Sequence, residues 1–259
     1  MSNYSNLEKI LHQQFLGSNP LSDYLYKRIL KKATSKKTNI KKIRHLFISG
    51  LARSGTTAIL NQIYESDDFV SLLYKHMPFI LSPKLAKTIS FLVNDINEGE
   101  ERLHNDGLII NNQSPECLDE IFWIKSNPNY FLEEMIEPKR IDIDLLNGYE
   151  YFLSCYSEIQ SDKRLVIKNN NNHIRLKFLY DYFDYCDFFV IFRNPIAQAY
   201  SLLNTHLRFC KLQMEDNYIL EYMNLLGHRE FGKGIKRFIY KDIEDKNKYK
   251  ANTINYWLV

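Results

Sequence analysis

Three short apolar runs, each followed by a helix-like pattern, constrain the fold of this chain most. The first run, residues 46–48, is followed by a helix-like pattern over residues 57–64. The second run, residues 165–167, is followed by one over residues 174–185, and the third, residues 188–192, by one over residues 195–206. Buried strands that alternate with helices form parallel sheets with helices on both faces. The sequence therefore predicts an α/β fold in which a central parallel β-sheet is flanked by helices.

A basic side chain follows each of the three predicted strands. Arg53 lies in the loop after the first strand, Lys168 ends the second, and Arg193 follows the third. In open α/β sheets the carboxyl ends of parallel strands meet at one edge, and ligands bind in the crevice there. We expect these three cations, which are far apart in the sequence, to face one crevice.

The loop after the first strand carries two of the nine glycines of the chain, Gly50 and Gly55. Glycines let backbone N–H groups close on an anion, and the N-terminus of the next helix adds a partial positive charge. The spacing matches the ATP-binding P-loop, but Thr56 stands where that loop has its lysine, and Thr57 stands at the Ser/Thr position. The missing lysine argues against an ordinary ATPase or kinase, and Arg53 is in place to supply a cation instead.

Residues 50–57, Gly-Leu-Ala-Arg-Ser-Gly-Thr-Thr, resemble the 5′-phosphosulfate loop of the sulfotransferase family. The core of that loop is Lys or Arg followed by Ser-Gly-Thr-Thr. The resemblance implies a P-loop-NTPase-like sulfotransferase fold and the donor PAPS (3′-phosphoadenosine 5′-phosphosulfate), with PAP as the nucleotide product. It also implies which residues hold the donor: Arg53, Ser54, Gly55, Thr56 and Thr57.

A second segment, Arg193-Asn194-Pro195 with Ser201 eight residues after the arginine, resembles the family's 3′-phosphate element. Helix formation alone explains Asn194 as an N-cap and Pro195 as the first helical residue. Arg193 is different, because an arginine at the ligand-binding edge of a sheet favours an anion. The resemblance implies that Arg193 and Ser201 bind the 3′-phosphate that separates PAPS from ATP, and that no metal is required.

Sulfuryl transfer moves a charged group between oxygens, so the protein mainly positions the reactants and stabilises charge. Arg53 and Lys168 are the candidate cations for this task, and Lys168 resembles the central lysine of the family. In the cytosolic branch a histidine follows that lysine by two places. This chain has Asn170 there, which cannot act as a base.

Other acidic or basic side chains are therefore candidates for the base that takes the acceptor's proton. Residues 114–120, Ser-Pro-Glu-Cys-Leu-Asp-Glu, resemble a segment of some bacterial family members. Glu116 ranks first, Glu120 second and His104 third. An acidic residue at a helix start is often only a cap, and that interpretation stays open for the two glutamates.

The N-terminal part of the chain is basic. Residues 27–44 carry nine lysines and arginines and no acidic residue, and residues 6–32 have the apolar spacing of an amphipathic helix. This pattern predicts a helical basic extension over residues 1–42, ahead of an α/β domain over residues 43–259. A solvated helix and linker explains the charge, and peripheral contact with an anionic membrane or glycan is the alternative.

Composition argues against several other classes of protein. The net charge of +3 is too small to indicate nucleic-acid binding. The four cysteines form no CxxC pair, so zinc and thioredoxin-like sites lack support, and such thiols are typical of a reducing cytoplasm. We expect neither a membrane span of ~18–20 apolar residues nor a secretion signal. The apolar end at residues 255–259 suggests a truncated or divergent C-terminus.

Together these patterns predict a cytoplasmic sulfotransferase that moves a sulfuryl group from PAPS to a hydroxyl or amine acceptor. A glycan or glycolipid is the acceptor suggested by the bacterial-type segment alone, and the sequence leaves the oligomeric state open. Two alternatives remain from other classes. One is a P-loop nucleotide kinase or NTPase, and the other is a degenerate nucleotide-fold protein that binds a partner without activity.

Overall fold

The computed structural model describes residues 4–35, 40–90, 99–127, 140–238 and 249–258, and the backbone of residues 135–136. The described helices are α1 (Asn6–Leu16), α2 (Pro20–Ala33), α3 (Thr56–Tyr64), α4 (Pro83–Ser90), α5 (Glu120–Ser126), α6 (Ile143–Glu158), α7 (Leu176–Tyr182), α8 (Pro195–Glu215), α9 (Asn217–Leu226) and α10 (Ile254–Leu258). The described strands are β1 (Leu46–Ser49), β2 (Phe69–Val70), β3 (Glu100–Glu101), β4 (Ile109–Ile110), β5 (Met135–Ile136), β6 (Arg164–Lys168), β7 (Asp187–Val190) and β8 (Arg237–Phe238).

The central sheet has the strand order β2-β6-β1-β7, and all of its strands run parallel. Leu46 of β1 lies opposite Val166 on one side and Asp187 on the other. All four side chains of β1 are buried, as expected for a strand covered on both faces. The predicted parallel α/β sheet is confirmed, and β1 lies inside the sheet with the carboxyl ends of β6 and β7 beside its own.

Helices cover both faces of this sheet, and the alternation along β1 decides which residues face which helices. Leu46 and Ile48 pack with Val166 of β6 against Leu60 of α3. Phe47 points to the opposite face, into a larger core that α6 fills with aromatic residues. Full burial of one such apolar side chain contributes about 1.5–3 kcal/mol. The two cores anchor β1 and α3, and so hold the loop between them.

The N-terminal segment differs from the single helix expected over residues 6–32. It forms α1 and α2, separated by Gly17 and by Asn19, whose side chain caps α2 by accepting from the N–H groups of Leu21 and Ser22. Pro20 occupies the first turn of α2, where its missing N–H costs nothing. Apolar residues of both helices lie in the same core as α6.

Several predicted boundaries shift. The strand predicted over residues 188–192 ends at Val190, and the helix predicted over residues 195–206 continues to Glu215. The helix predicted over residues 174–185 forms as a 3-10 turn, Asn170–Ile174, followed by α7. Part of the basic segment, residues 36–39, lies outside the described residues. None of the helices in the described ranges is long and apolar enough to cross a membrane.

Candidate functional site

The loop between β1 and α3 has the backbone that its glycines allow. A side-chain carbon on Gly50 would lie 2.7 Å from the carbonyl oxygen of Ile191 and 2.9 Å from Oγ of Ser54, so only glycine fits. Gly55 has a φ of 102°, a left-handed conformation that favours glycine. Arg53 also has a positive φ, 67°, which is uncommon for a residue with a side chain. Such backbone outliers cluster at ligand sites.

Two hydroxyl groups of this loop show what the loop is able to bind. Ser54 Oγ is buried and has no hydrogen-bond partner among the described residues. A buried hydroxyl without a partner is uncommon, because it loses its bonds to water. Thr56 Oγ1 donates to Oδ1 of Asn170 at 3.2 Å, which ties the start of α3 to the segment after β6. The loop therefore combines a tight backbone turn with a buried hydroxyl that has no hydrogen-bond partner among the described residues.

One cavity of about 730 Å³ opens at the carboxyl edge of the central sheet. Its wall includes Arg53, Thr56 and Thr57 from the loop after β1, Lys168 from the end of β6, and Arg193 from the segment after β7. The structure thus brings together the three cations that the sequence places at separate strand ends. Their common position follows from the parallel pairing of β6, β1 and β7.

The two predicted phosphate motifs, the glycine loop and the segment from Arg193 to Ser201, contact each other directly. Arg53 donates from Nε to Oγ of Ser201 at 3.0 Å, and Arg193 donates from Nη1 to the carbonyl oxygen of Arg53 at 3.1 Å. Ser201 lies two turns into α8, so this contact joins that helix to the glycine loop. Arg193 itself is exposed at the cavity wall. Its guanidinium has further N–H donors beyond the one that it uses.

A hairpin of β3 and β4 covers one side of the cavity and supplies an acidic partner to Arg53. Asp106 accepts from Nη1 of Arg53 at 2.6 Å and from Nη2 of Arg102 at 2.6 Å. Burial would raise the pKa of Asp106, but the hydrogen bonds and charges of Arg102 and Arg53 outweigh it and hold that pKa well below its usual range. Asp106 is therefore a carboxylate that fixes the direction of the Arg53 side chain.

Lys168 forms a buried ion pair with Glu116 at 3.3 Å, and their side chains are only 4% and 9% exposed. Glu116 also accepts from the hydroxyl of Tyr74 at 3.2 Å and from the backbone N–H of Cys117 at 2.8 Å. Burial alone would lower the pKa of Lys168 and raise that of Glu116. Their mutual attraction and other nearby groups together outweigh burial: Cys117 and Glu230 help to raise the pKa of Lys168. His228, Arg102 and the backbone N–H of Cys117 help to lower the pKa of Glu116. Lys168 is thus held as a cation at the cavity wall.

The other two candidate bases have different surroundings. Glu120 is 1% exposed and does not line the cavity; it accepts from Asn169 at 2.8 Å and from the guanidinium of Arg175. His104 lines the cavity but packs against the rings of Phe209 and Phe231. Burial, aided by a nearby arginine, lowers the pKa of His104 to about 3. Of the three, Glu116 alone contacts Lys168.

Two polar residues that line the cavity belong to none of the motifs that the sequence predicts. His228 and Glu230 follow the end of α9 and line the same wall as Lys168. Glu230 Oε1 accepts from Nδ2 of Asn170 at 3.0 Å, and its Oε2 lies 3.6 Å from Nδ1 of His228. In the sequence they appear only as a histidine two residues before a glutamate, after a helix. That pattern is too common to mark a site, and only the fold brings it to the strand ends.

The cavity also has an aromatic wall. Tyr4, Tyr218 and Tyr222 line it, and the ring centroid of Tyr4 lies 5.7 Å and 5.1 Å from those of the other two. Tyr74 lines the cavity as well, and its hydroxyl donates to Glu116, the ion-pair partner of Lys168. Such rings provide large, rigid contact surfaces for a ligand. Within the described ranges, no group of three or more His, Cys, Asp or Glu is arranged to hold a metal ion.

Comparisons with known proteins add one structural likeness. No protein-family model and no curated protein sequence matches this chain. A solved structure, the sulfotransferase STF9 from Mycobacterium avium, aligns with a TM-score of 0.43 at 14% sequence identity. The alignment covers 88% of this chain and 66% of the mycobacterial chain, so this chain spans just under two thirds of that protein. The assignment of function therefore rests on the residues of the cavity itself.

Proposed function

We propose that this protein is a sulfotransferase that moves a sulfuryl group from PAPS to a hydroxyl or amine acceptor. One observation carries the proposal: three parallel strand ends deliver Arg53, Lys168 and Arg193, with the hydroxyls of Thr56 and Thr57, to the wall of one cavity. A donor with anionic groups at both its 5′ and 3′ positions needs such a set of separate cations.

The glycine loop suits the 5′-phosphosulfate. Helix α3 begins after Gly55 with no side-chain cap, and its N-terminus adds partial positive charge. Gly50 lets the backbone approach closely, and Ser54 Oγ is a buried hydroxyl with no partner among the described residues. We assign this end of the donor to the backbone of the loop and to Arg53, Ser54, Thr56 and Thr57.

Arg193 and Ser201 suit the 3′-phosphate. Both residues contact Arg53: Arg193 donates to its carbonyl oxygen at 3.1 Å, and Ser201 accepts from its Nε at 3.0 Å. A phosphate between them would accept charge-assisted hydrogen bonds from Arg193 and a hydroxyl hydrogen bond from Ser201. This second anion site favours PAPS over ATP, which has no 3′-phosphate.

Lys168 is the proposed cation at the reacting group. Lys168 is nearly fully buried, and its ion pair with Glu116 favours its charged form. Its ammonium group is therefore already in place and does not have to move when negative charge develops on the leaving oxygen of the donor. Removing one such preorganised donor typically lowers the rate by ~10²–10³. Glu116 then serves the reaction by holding Lys168 in place.

The aromatic wall is the proposed acceptor side. Tyr4, Tyr218 and Tyr222 line the same cavity as Lys168, and their rings offer surfaces on which an acceptor can stack. We retain a hydroxyl of a glycan or glycolipid as the acceptor class. The four cysteines are free, which fits the proposed cytoplasmic location, since thiols persist in a reducing compartment.

Calorimetric titration with PAP, ATP and adenosine 5′-phosphosulfate tests the donor assignment. We expect PAP to bind more tightly than the other two nucleotides, because it alone carries the 3′-phosphate. The Arg193→Ala variant should lose about 10- to 100-fold in PAP affinity, the loss typical of a hydrogen bond between charged groups. Arg28→Ala, which removes an exposed arginine of α2 away from the cavity, is the matched control. A preference for ATP, or no nucleotide binding, would refute the proposal.

A further inference from the structure

His228 is held in place by the end of α9. Gly227 ends that helix in a left-handed conformation with a φ of 77°, as helix C-termini often do. The backbone N–H of His228 then donates to the carbonyl oxygen of Met223 at 2.9 Å. The side chain of His228 is 21% exposed and lines the cavity. It therefore reaches the site from an element that is separate from the glycine loop and from the segment that carries Arg193 and Ser201.

One carboxylate oxygen of Glu230, Oε2, faces the imidazole of His228. Glu230 Oε2 is buried, lies 3.6 Å from Nδ1 of His228 and has no hydrogen-bond partner in the part of the chain that the structure describes. A carboxylate beside Nδ1 favours a proton on that nitrogen, and the lone pair of a neutral imidazole is then on Nε2. This arrangement leaves Nε2 as the proton acceptor of the ring.

The His228–Glu230 pair is connected to the glycine loop. Asn170 donates to Glu230 Oε1 at 3.0 Å and accepts from the hydroxyl of Thr56 at 3.2 Å. A chain of side chains thus runs from the first residue of α3 to the imidazole. A base that is oriented by a second group, which is itself oriented by a third, is the usual arrangement for proton transfer. Here the third group belongs to the loop that we assign to the donor.

The charges around His228 suit a base that works near neutral pH. The ionisable groups that act on it are Glu230, Glu116 and Lys168. Burial and Lys168 act to lower the pKa of His228, but Glu230 and Glu116 outweigh them and raise it above its ordinary 6.5. Glu116 has a pKa well below its usual range, so it is a weaker proton acceptor than His228.

We propose that His228, oriented by Glu230, is the base that takes the proton from the acceptor in the sulfuryl transfer. The inference rests on the proposed function. The acceptor oxygen forms a bond to sulfur, and its proton passes to Nε2 of His228. The bond between sulfur and the bridging oxygen of PAPS breaks, and its electron pair stays on the 5′-phosphate of PAP. Lys168 faces the same cavity as the cation for that oxygen.

PAPS with water as the acceptor is the probe for this step, and PAP release is measured from about pH 5 to 9. We expect His228→Asn to lower the rate by ~10²–10⁴, the usual contribution of a positioned base. Glu230→Gln should move the acid limb of the wild-type profile to lower pH, because it removes the charge that raises the pKa of His228. His104→Asn changes the second histidine that lines the cavity and is expected to keep that acid limb. PAP affinity, measured by calorimetry, should stay within about twofold in the His228 variant.

The ring ¹⁵N shifts of His228, assigned by their loss in His228→Asn, give its pKa without any turnover. We expect a pKa above the ordinary value in the wild type and a fall toward it in Glu230→Gln. A wild-type protein that binds no PAP would refute the donor assignment, whatever the histidine titration shows. A wild type that binds PAP, with His228→Asn releasing PAP at the wild-type rate and on the same acid limb, would overturn the role of His228 alone. A wild-type protein that binds PAP but forms no PAP from PAPS at any pH would also count against the role of His228.

Discussion

Replacing Glu120 by glutamine separates a role in catalysis from a role in stability. Glu120 is 1% exposed and accepts from the guanidinium of Arg175 and from Asn169 at 2.8 Å. Arg175 is itself 5% exposed and stacks on the ring of Trp123 at 4.5 Å. Neither Glu120 nor Arg175 lines the cavity. We therefore expect Glu120→Gln to lower the free energy of unfolding and to leave donor binding unchanged.

The magnitude follows from the burial of the pair. Removing one partner of a buried ion pair costs about 3–5 kcal/mol, because the other charge stays buried. Glutamine keeps the shape of Glu120 and still accepts from Asn169, so we take the lower end, about 3 kcal/mol. With a urea slope of about 3 kcal/mol per molar, this corresponds to a midpoint lower by roughly 1 M.

Urea unfolding followed by far-UV circular dichroism measures this difference, and calorimetry with PAP below the transition measures binding. Glu65→Gln, at an exposed position after α3, is the matched control and should stay within about 0.5 kcal/mol of the wild type. A wild-type midpoint for Glu120→Gln would refute the buried-pair argument. Full stability combined with a loss of PAPS turnover would instead make Glu120 a catalytic residue.

Three further changes test the loop, the lysine and the histidine pair. Gly50→Ala should cost about 1–3 kcal/mol in urea unfolding and weaken PAP binding, because the new carbon meets the carbonyl of Ile191 at 2.7 Å; wild-type values for both would contradict the geometry. Lys168→Met should lower PAP release from PAPS by ~10²–10³ and raise the pKa of Glu116, observable by carboxyl ¹³C titration; an unchanged rate would contradict the role of the lysine. Burial acts to raise the pKa of Glu230, but its hydrogen bonds and the charge of His228 outweigh burial and lower that pKa to about 2. The stabilising contribution of Glu230 is therefore present above the ordinary pKa of 4.5 and is lost as the pH falls toward 2. Glu230→Gln should therefore show a smaller loss of stability across that range than the wild type in urea melts, and an equal loss would contradict the assignment.

Much of the fold follows from local pattern. The three apolar runs predict β1, β6 and β7, and for the buried strands β1 and β6 the reason is that a strand covered on both faces needs a continuous apolar sequence. The third run forms the edge strand β7, where Phe189 and Val190 are exposed. The two residues of β2, Phe69 and Val70, are too few to form a pattern, and their place beside β6 comes from the pairing itself. The apolar spacing over residues 6–32 does not predict the break between α1 and α2, because the spacing continues across it. Gly17, Asn19 and Pro20 are the local signals that interrupt the helix there.

The ranking of the candidate bases shows where local reasoning stops. Glu116 and Glu120 are four residues apart in one segment, and their spacing does not indicate which of them has which role. The fold sends Glu116 to Lys168 and Glu120 to Arg175, because the chain turns into α5 between them. His228 lies far along the chain from every phosphate motif. Its position beside Lys168 depends on where α9 packs.

The sequence by itself determined the parallel sheet, the glycine loop and the three cations at strand ends. Those features depend on local rules: apolar runs make buried strands, glycines allow tight backbone, and parallel strands end at one edge. Only the tertiary structure decided which ionisable groups lie together: Lys168 with Glu116, and His228 with Glu230. The position of each pair depends on how segments that are remote in the chain pack together, and burial strengthens the interactions that shift the pKa of each group.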